Sequence, residues 1–284
     1  MPLPAILLLL IGATLHTTWN LIIKQSSEKF VATWWVVLVG GIAAMLGLFF
    51  TGMPPRSLWG FAFFSLTAET IYFLLLSYAY QDNDFSLVYP IARGAAPAFL
   101  ALWSFLFLAE KPTMGGWLGL GLIIGGLTVI GTSALLREGI GKVHMKGVAL
   151  ALILALVISS YTAIDGAAVK QGPMISYALL IFMLMPIPLA PFIFRQYGWS
   201  HLKMRWNEQR LRLSFAGVLG ITAYLFALAA YTMAPLNYSG AVREVSVVIG
   251  AFAGWKLLGE KLGPVRVVGA AVIFAGILVI ALRG

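Results

Sequence analysis

Cysteine is absent from this chain. Its absence removes disulfide staples, thiolate nucleophiles and cysteine-ligated metals together. Histidine is almost as scarce: His16, His144 and His201 lie far apart, no two at a metal-ligand spacing, so no metal site is expected. Charge is the third scarcity. Only 10% of residues are Asp, Glu, Lys or Arg, whereas roughly a quarter would be charged in a soluble domain. Long polar stretches are missing too, so there is no room for a folded soluble domain between the apolar runs.

What remains is hydrocarbon. Hydrophobic residues make up 61% of the 284, and mean hydropathy is +0.93. Apolar runs recur from end to end, each close to the ~20 residues that cross a ~30 Å hydrocarbon core as a helix. A β-barrel would need alternating strands of ~10 residues; the runs at 155–159 and 273–281 are apolar without alternation and rich in helix formers. The expected class is therefore an all-α integral membrane protein. Ten transmembrane spans are predicted, at about 4–23, 31–51, 58–80, 86–109, 115–135, 147–169, 174–194, 213–233, 238–258 and 265–282. The first run lacks the basic leader of a signal peptide and is expected to be a retained helix. Most connections are short, which makes consecutive helices antiparallel neighbours. The exceptions are 136–146 and a basic loop predicted from Arg195 to Arg212.

The net charge of +9 does not imply nucleic acid, because the basic residues flank helices. Their distribution gives topology instead. Loops after spans 1, 5, 7 and 9, with their flanks, hold Lys24, Lys29, Arg137, Lys142, Lys146, Arg195, Lys203, Arg205, Arg210, Arg212, Lys256, Lys261 and Arg266. The opposite face has only Arg56, Lys111, Lys170 and Arg283. A cytoplasmic location for the first set places both termini outside the cytoplasm, with the 195–212 segment near anionic headgroups. Trp34, Trp35, Trp59, Trp117 and Trp255, near span ends, are expected as interface anchors.

The sequence also repeats. Arg93 and Arg243, Glu110 and Glu260, Lys111 and Lys261, Gly119 and Gly269, and Gly126 and Gly276 each stand 150 residues apart. The halves are 1–136 and 147–284. Five spans per half is an odd number, so the second copy must enter the membrane upside down, the inverted duplication of secondary transporters. Thirty glycines favour close helix packing, and Pro186, Pro188 and Pro191 predict a kink in span 7.

Arg93 and Arg243 each interrupt an apolar run. An arginine at hydrocarbon depth costs at least ~2.5 kcal/mol even on lenient scales, so each must face a partner, a ligand or a wet cavity. One reading is a structural ion pair to Glu69, Asp165 or Glu244. The other is recognition of an anionic substrate group, which the guanidinium fork suits. Glu244 directly follows Arg243, and on a regular helix their side chains diverge by about 100°, so those two are not expected to pair. His16, Asn20 and Lys24 form an i, i+4, i+8 stripe on span 1 beside Trp19; Tyr161 and Asp165 do the same on span 6. Tyr72, Tyr80 and Tyr89, with Tyr224, Tyr231 and Tyr238, are candidates for an amphipathic lining. Glu69 sits mid-span, and with Asp165 and Glu244 it is a candidate for proton coupling.

These residues resemble a known family. His16, Trp19, Asn20 and Lys24 in span 1 supply one motif; Ser86, Val88, Tyr89, Pro90, Arg93, Gly94 and Pro97 in span 4 supply a second. Tyr161, Thr162, Asp165 and Gly166 in span 6, then Arg243, Glu244 and Ser246 in span 9, complete a pattern similar to the drug/metabolite transporter superfamily, EamA-type. The resemblance covers nearly the whole chain. It implies two five-helix repeats and a multi-pass carrier of small organic metabolites in the cell inner membrane. It also implies a central cavity formed by helices 1, 3, 4, 6, 8 and 9, with helices 5 and 10 peripheral and often implicated in association. Relatives are usually drawn with cytoplasmic termini, whereas the loop charges here predict the reverse.

The functional expectation is a secondary transporter moving a zwitterion or anion, amino-acid-like or phosphonate-like, by alternating access. The predicted contacts are Arg93, Arg243, His16, Asn20, Trp19, Tyr89, Tyr161, Asp165, Tyr72 and Tyr224. A flippase for a lipid-linked intermediate is the alternative. An enzyme is disfavoured because no nucleophile or metal motif accompanies His16, Glu69 and Asp165. No cofactor is expected; the expected partners are a small-molecule substrate and membrane lipid, not nucleic acid, for a monomer or homodimer.

Overall fold

The computed structural model describes residues 2–108, 113–138, 142–234, 239, 242–260 and 263–283. Every regular element among them is helical. The first half holds α1 (Leu3–Gln25), α2 (Lys29–Thr51), α3 (Trp59–Asp82, preceded by a 3-10 turn at Arg56–Leu58), α4 (Phe85–Leu108) and α5 (Met114–Glu138). The second holds α6 (Lys142–Ala168), α7 (Met174–Leu184), α8 (Pro186–Met233), α9 (Val245–Leu258) and α10 (Gly263–Arg283). Five stretches among the described residues are long and apolar enough to cross a bilayer: Leu3–Gln25, Lys29–Thr51, Arg56–Asp82, Met145–Ala168 and Met174–Met233. A bilayer offers no water to unpaired backbone groups, and a helix satisfies them within its own segment.

The seventh and eighth predicted spans differ from expectation. Residues 195–212, predicted as a loop, are helical and continuous with α8. The helix kinks there, because Gly198 leaves the helical region (φ 72, ψ 155), a conformation that costs glycine little and other residues much. The proline-rich stretch parts α7 from α8 at Pro186, where the missing N–H ends the hydrogen-bond ladder. Met185 nevertheless keeps helical dihedrals (φ −57, ψ −36).

The helical 199–212 segment corrects two further assignments. Trp34 and Trp35, expected at the lipid interface, are buried. Trp35 meets Trp206 at 4.5 Å between ring centroids and donates from Nε1 to the Leu202 carbonyl at 3.1 Å, while Trp34 meets Phe194 at 5.3 Å. Trp59 and Trp117 are exposed, as anchors should be.

The same segment holds the α1–α2 link. Glu28 accepts from Arg205 Nε at 2.7 Å and lies 2.7 Å from His201 Nε2. Partial burial alone would push the Glu28 carboxyl up, but the hydrogen bonds from His201 and Arg205 and the charge of Arg205 outweigh it and hold it below its ordinary value of 4.5. A depressed carboxyl contributes stability that is complete above the unfolded value and is lost as pH falls through the folded one. Thermal unfolding at pH 7 should therefore be higher for the wild type than for Glu28→Gln, and the gap should close as pH falls below about 4.5; a gap that stays constant down to pH 3 would contradict this.

Packing between the halves dominates the bundle. The main contacts join α1 and α2 to α8, α2 to α7, α3 and α4 to α6, α4 to α9, and α5 to α10. The last pair is held by glycine. A Cβ at Gly126 would lie 2.6 Å from the Gly269 carbonyl oxygen, and one at Gly276 would lie 2.7 Å from that of Gly119. Without a hydrophobic drive between helices in lipid, such close approach supplies the dispersion energy that holds them.

Candidate functional site

A cavity lies among α1, α2, α3, α4, α6, α7 and α8. Helical spacing builds its walls. Leu9, Gly12, His16 and Trp19 occupy one face of α1, and Glu69, Tyr72 and Phe73 one face of α3. Across from them α8 presents Gly217, Gly220, Ala223 and Ala227, whose small side chains leave the space empty. Aromatic rings fill the remaining wall in a connected series. Trp19 meets Phe73 at 5.8 Å, Phe73 meets Tyr72 at 5.2 Å and Tyr72 meets Tyr161 at 5.9 Å between centroids, while Phe182 meets Tyr224 at 5.2 Å opposite.

Both arginines reach this wall, but they are held differently. Arg93 is 2% exposed and donates from Nη2 to Glu244 Oε1 at 2.7 Å. It is an ion pair bridging the two halves, the structural alternative weighed above. Arg243 is held loosely. Its Nε lies 3.5 Å from the same Glu244 oxygen, its Nη2 lies 3.5 Å from Thr162 Oγ1, and its guanidinium lies 5.7 Å from the Tyr231 ring centroid.

Arg243 and Glu244 thus approach each other, contrary to the expectation from helix geometry. The reason is local. Glu244 caps α9 with φ −75 and ψ 3, so the regular helix begins only at Val245. Arg243 therefore lies just ahead of the regular helix α9.

The carboxylates separate in the same way. Asp165 is 1% exposed and fully engaged: its Oδ1 accepts from Ser65 at 2.7 Å and Tyr177 at 2.8 Å, and its Oδ2 from Tyr224 at 2.8 Å. It stands behind the wall and fixes Tyr224 within it. Glu69 is in the wall itself, 5% exposed, and its Oε1 has no hydrogen-bond partner among the described residues.

Asn20 and Tyr89, predicted as substrate contacts, do not line the cavity. Each supports His16, which does: His16 Nδ1 lies 3.1 Å from the Tyr89 hydroxyl and 3.2 Å from Asn20 Nδ2. Tyr80 donates to Asn20 Oδ1 at 2.9 Å, and Phe85 stacks on Tyr89 at 4.8 Å. Asn20, Tyr80, Phe85 and Tyr89 are all buried. Tyr238, Glu110, Lys111 and Lys261 lie outside the described residues.

Sequence reasoning missed Ser65, Tyr177 and the small-residue face of α8. Ser65 lies one turn before Glu69, a polar pair in an apolar run that carried a usable signal. Arg266, counted among loop cations, is 1% exposed and bound to Asp84 and Ser86. No group of metal-ligating side chains occurs among the described residues.

A model of the EamA-like transporter family matches residues 3–132 and 145–282. The chain belongs to that family. This EamA-like protein, of the drug/metabolite transporter superfamily, is a multi-pass membrane transporter of small molecules. Over 250 residues it is 22% identical to the uncharacterized transporter YwfM of Bacillus subtilis (strain 168), a match spanning 86% of this chain and 81% of the relative. A solved crystal structure 15% identical in sequence superposes with a TM-score of 0.68, covering 97% of this chain and 95% of that one. That likeness extends the shared fold across the EamA-like chain.

Proposed function

We propose that this EamA-like transporter moves a small organic zwitterion or anion across the cytoplasmic membrane, using the cavity as a binding site exposed to each side in turn. The observation that carries the reading is Arg243. Among the described residues its guanidinium has no ion pair shorter than 3.5 Å, and it lines the cavity; its burial calls for an anionic partner that arrives and leaves. A carboxylate or phosphonate matches its fork. The rings of Trp19, Tyr72, Tyr161 and Tyr224 receive the organic body through faces and hydroxyls. Arg93, in the same wall, positions Glu244, and Asp165 behind it positions Tyr224.

Two inverted five-span repeats, 1–136 and 147–284, are the frame for this motion. An offset of 150 pairs α1 with α6, α3 with α8, α4 with α9 and α5 with α10. Under that exchange the contact of α1 with α8 becomes that of α6 with α3, and α5 with α10 maps onto itself; all these contacts occur. The Gly126–Gly269 approach likewise becomes Gly276–Gly119. Such reciprocity supports a pseudo-two-fold axis in the membrane plane.

The first test is a thermal-shift screen of purified protein against amino acids, phosphonates, organic acids and sugar phosphates, since a ligand that binds only the folded state raises the melting temperature. Stabilisation by no anionic or zwitterionic class would sink the reading. For coupling, the unpartnered Glu69 oxygen makes Glu69 the proton carrier, and Asp165, with three donors, a fixed support. Uptake into proteoliposomes should rise with an imposed pH gradient, and Glu69→Gln should remove that dependence; a gradient-independent wild type would eliminate the role. Orientation is proposed from the loop charges, with both termini outside the cytoplasm. A C-terminal reporter active only in the periplasm should give signal, and a cytoplasmic reporter should not.

A further inference from the structure

At one end of the bundle the halves are tied by charged contacts outside the cavity lining. The Glu260 carboxylate, between α9 and α10, accepts from the Phe85 backbone N–H at 2.6 Å and the Ser86 N–H at 2.7 Å. It therefore caps the first turn of α4, where helix N–H groups lack internal partners and the helix dipole favours negative charge. Beside it the buried Arg266 donates from Nη1 to Asp84 Oδ2 at 2.7 Å and Ser86 Oγ at 2.6 Å. The interface is shaped for the cap: a Cβ at Gly254 would lie 2.7 Å from Glu260 Oε2 and 2.8 Å from Ser86 Cβ. Lys24, at the end of α1, joins from the other side by donating to the carbonyls of Tyr80, at 3.1 Å, and Asn83.

A series of contacts joins this cluster to the cavity wall: Glu260 and Lys24 bind Phe85 and Tyr80, these touch Tyr89 and Asn20, and those two hold His16. We propose that the Glu260 cap and the Arg266–Asp84 pair form a releasable latch that shuts the cavity on the face carrying the α3–α4 and α9–α10 links. The proposal rests on the alternating-access reading. An apolar seam of equal extent would resist parting in water, whereas these groups exchange their partners for water when the ends separate. Asp84 is already 44% exposed. The N–H groups of Phe85 and Ser86 become hydrated as those of any open helix terminus do.

The absence of cysteine makes the test direct. Ala223→Cys places a single thiol in the cavity wall, and its reaction with a membrane-impermeant maleimide is timed from each face of oriented vesicles. Glu260→Gln and Asp84→Asn, each added separately, should raise labelling from the latch face by about tenfold, the shift expected for losing one charge-assisted contact. Asp84→Asn changes a half-exposed position and so tests the latch even if Glu260→Gln fails to fold. Glu208→Gln, which removes an exposed carboxylate paired with Arg205 within α8, should leave the rate unchanged.

Unchanged latch-face labelling in both variants, with the parent labelled from the opposite face, would overturn the latch and leave the carrier reading standing. An equal rise with Glu208→Gln would overturn it as a nonspecific loosening. A thiol that reacts from neither face in any variant would overturn latch and carrier reading together.

Discussion

Arg243→Ala should reduce transport by roughly a hundredfold or more while the protein still inserts and melts close to the wild-type temperature. Losing a buried charge-assisted contact to a ligand costs about 2–5 kcal/mol, which sets the size of the loss. Stability should change little because, among the described residues, Arg243 has few close polar contacts to lose. Its polar neighbours, Glu244 and Thr162, both stand at 3.5 Å, where a hydrogen bond contributes little. Arg243→Lys keeps the charge but gives up the planar fork, so it should fall between the two. The measurement is initial uptake rate in proteoliposomes beside a melting curve in the same detergent. Wild-type uptake by Arg243→Ala would remove the docking role, and a collapsed melting temperature would assign the residue to the fold.

Arg93→Ala should do the opposite, lowering stability first. Arg93 and Glu244 are each about 2% exposed and meet at 2.7 Å. Breaking a buried pair by removing one partner typically costs about 3–5 kcal/mol, because the remaining charge is left in low dielectric. Replacing both partners by leucine is often close to neutral, so the double variant should recover most of the lost melting temperature. Transport should not return with it, since two leucines then replace the charges beside Arg243 at the cavity wall. Recovery of stability without recovery of transport separates the two roles. If Arg93→Ala melts like the wild type yet fails to transport, Arg93 is itself a ligand to the substrate.

The sequence carried much of this. Apolar runs of bilayer length located the helices, because in hydrocarbon the pattern of hydrophobicity and the need to pair every backbone group point to one answer. The buried charges were legible for the same reason: Arg93, Arg243, Glu69 and Asp165 are anomalies in apolar segments. Their division of labour was not. Whether a carboxylate is sated or free depends on hydroxyls arriving from other helices, and Asp165 draws Ser65 from α3, Tyr177 from α7 and Tyr224 from α8. The helical character of 199–212 was hidden by its charge, since polar composition reads as loop when its apolar residues, Leu202 and Trp206 among them, pack on a neighbour found only in three dimensions. Glu260 reads as the repeat partner of Glu110 and Arg266 as a loop cation, and nothing local announces that their partners lie about 180 residues away.

The seam between α5 and α10 limits how the halves can move. At two points along it, a missing side chain on one helix faces a carbonyl of the other with no room for even a methyl group between them. Surfaces that close cannot slide lengthwise, because the next side chain along would have to pass through the opposing backbone. Any large displacement of the two halves must therefore pivot at this seam like a door on its hinge post, with amplitude growing with distance from it.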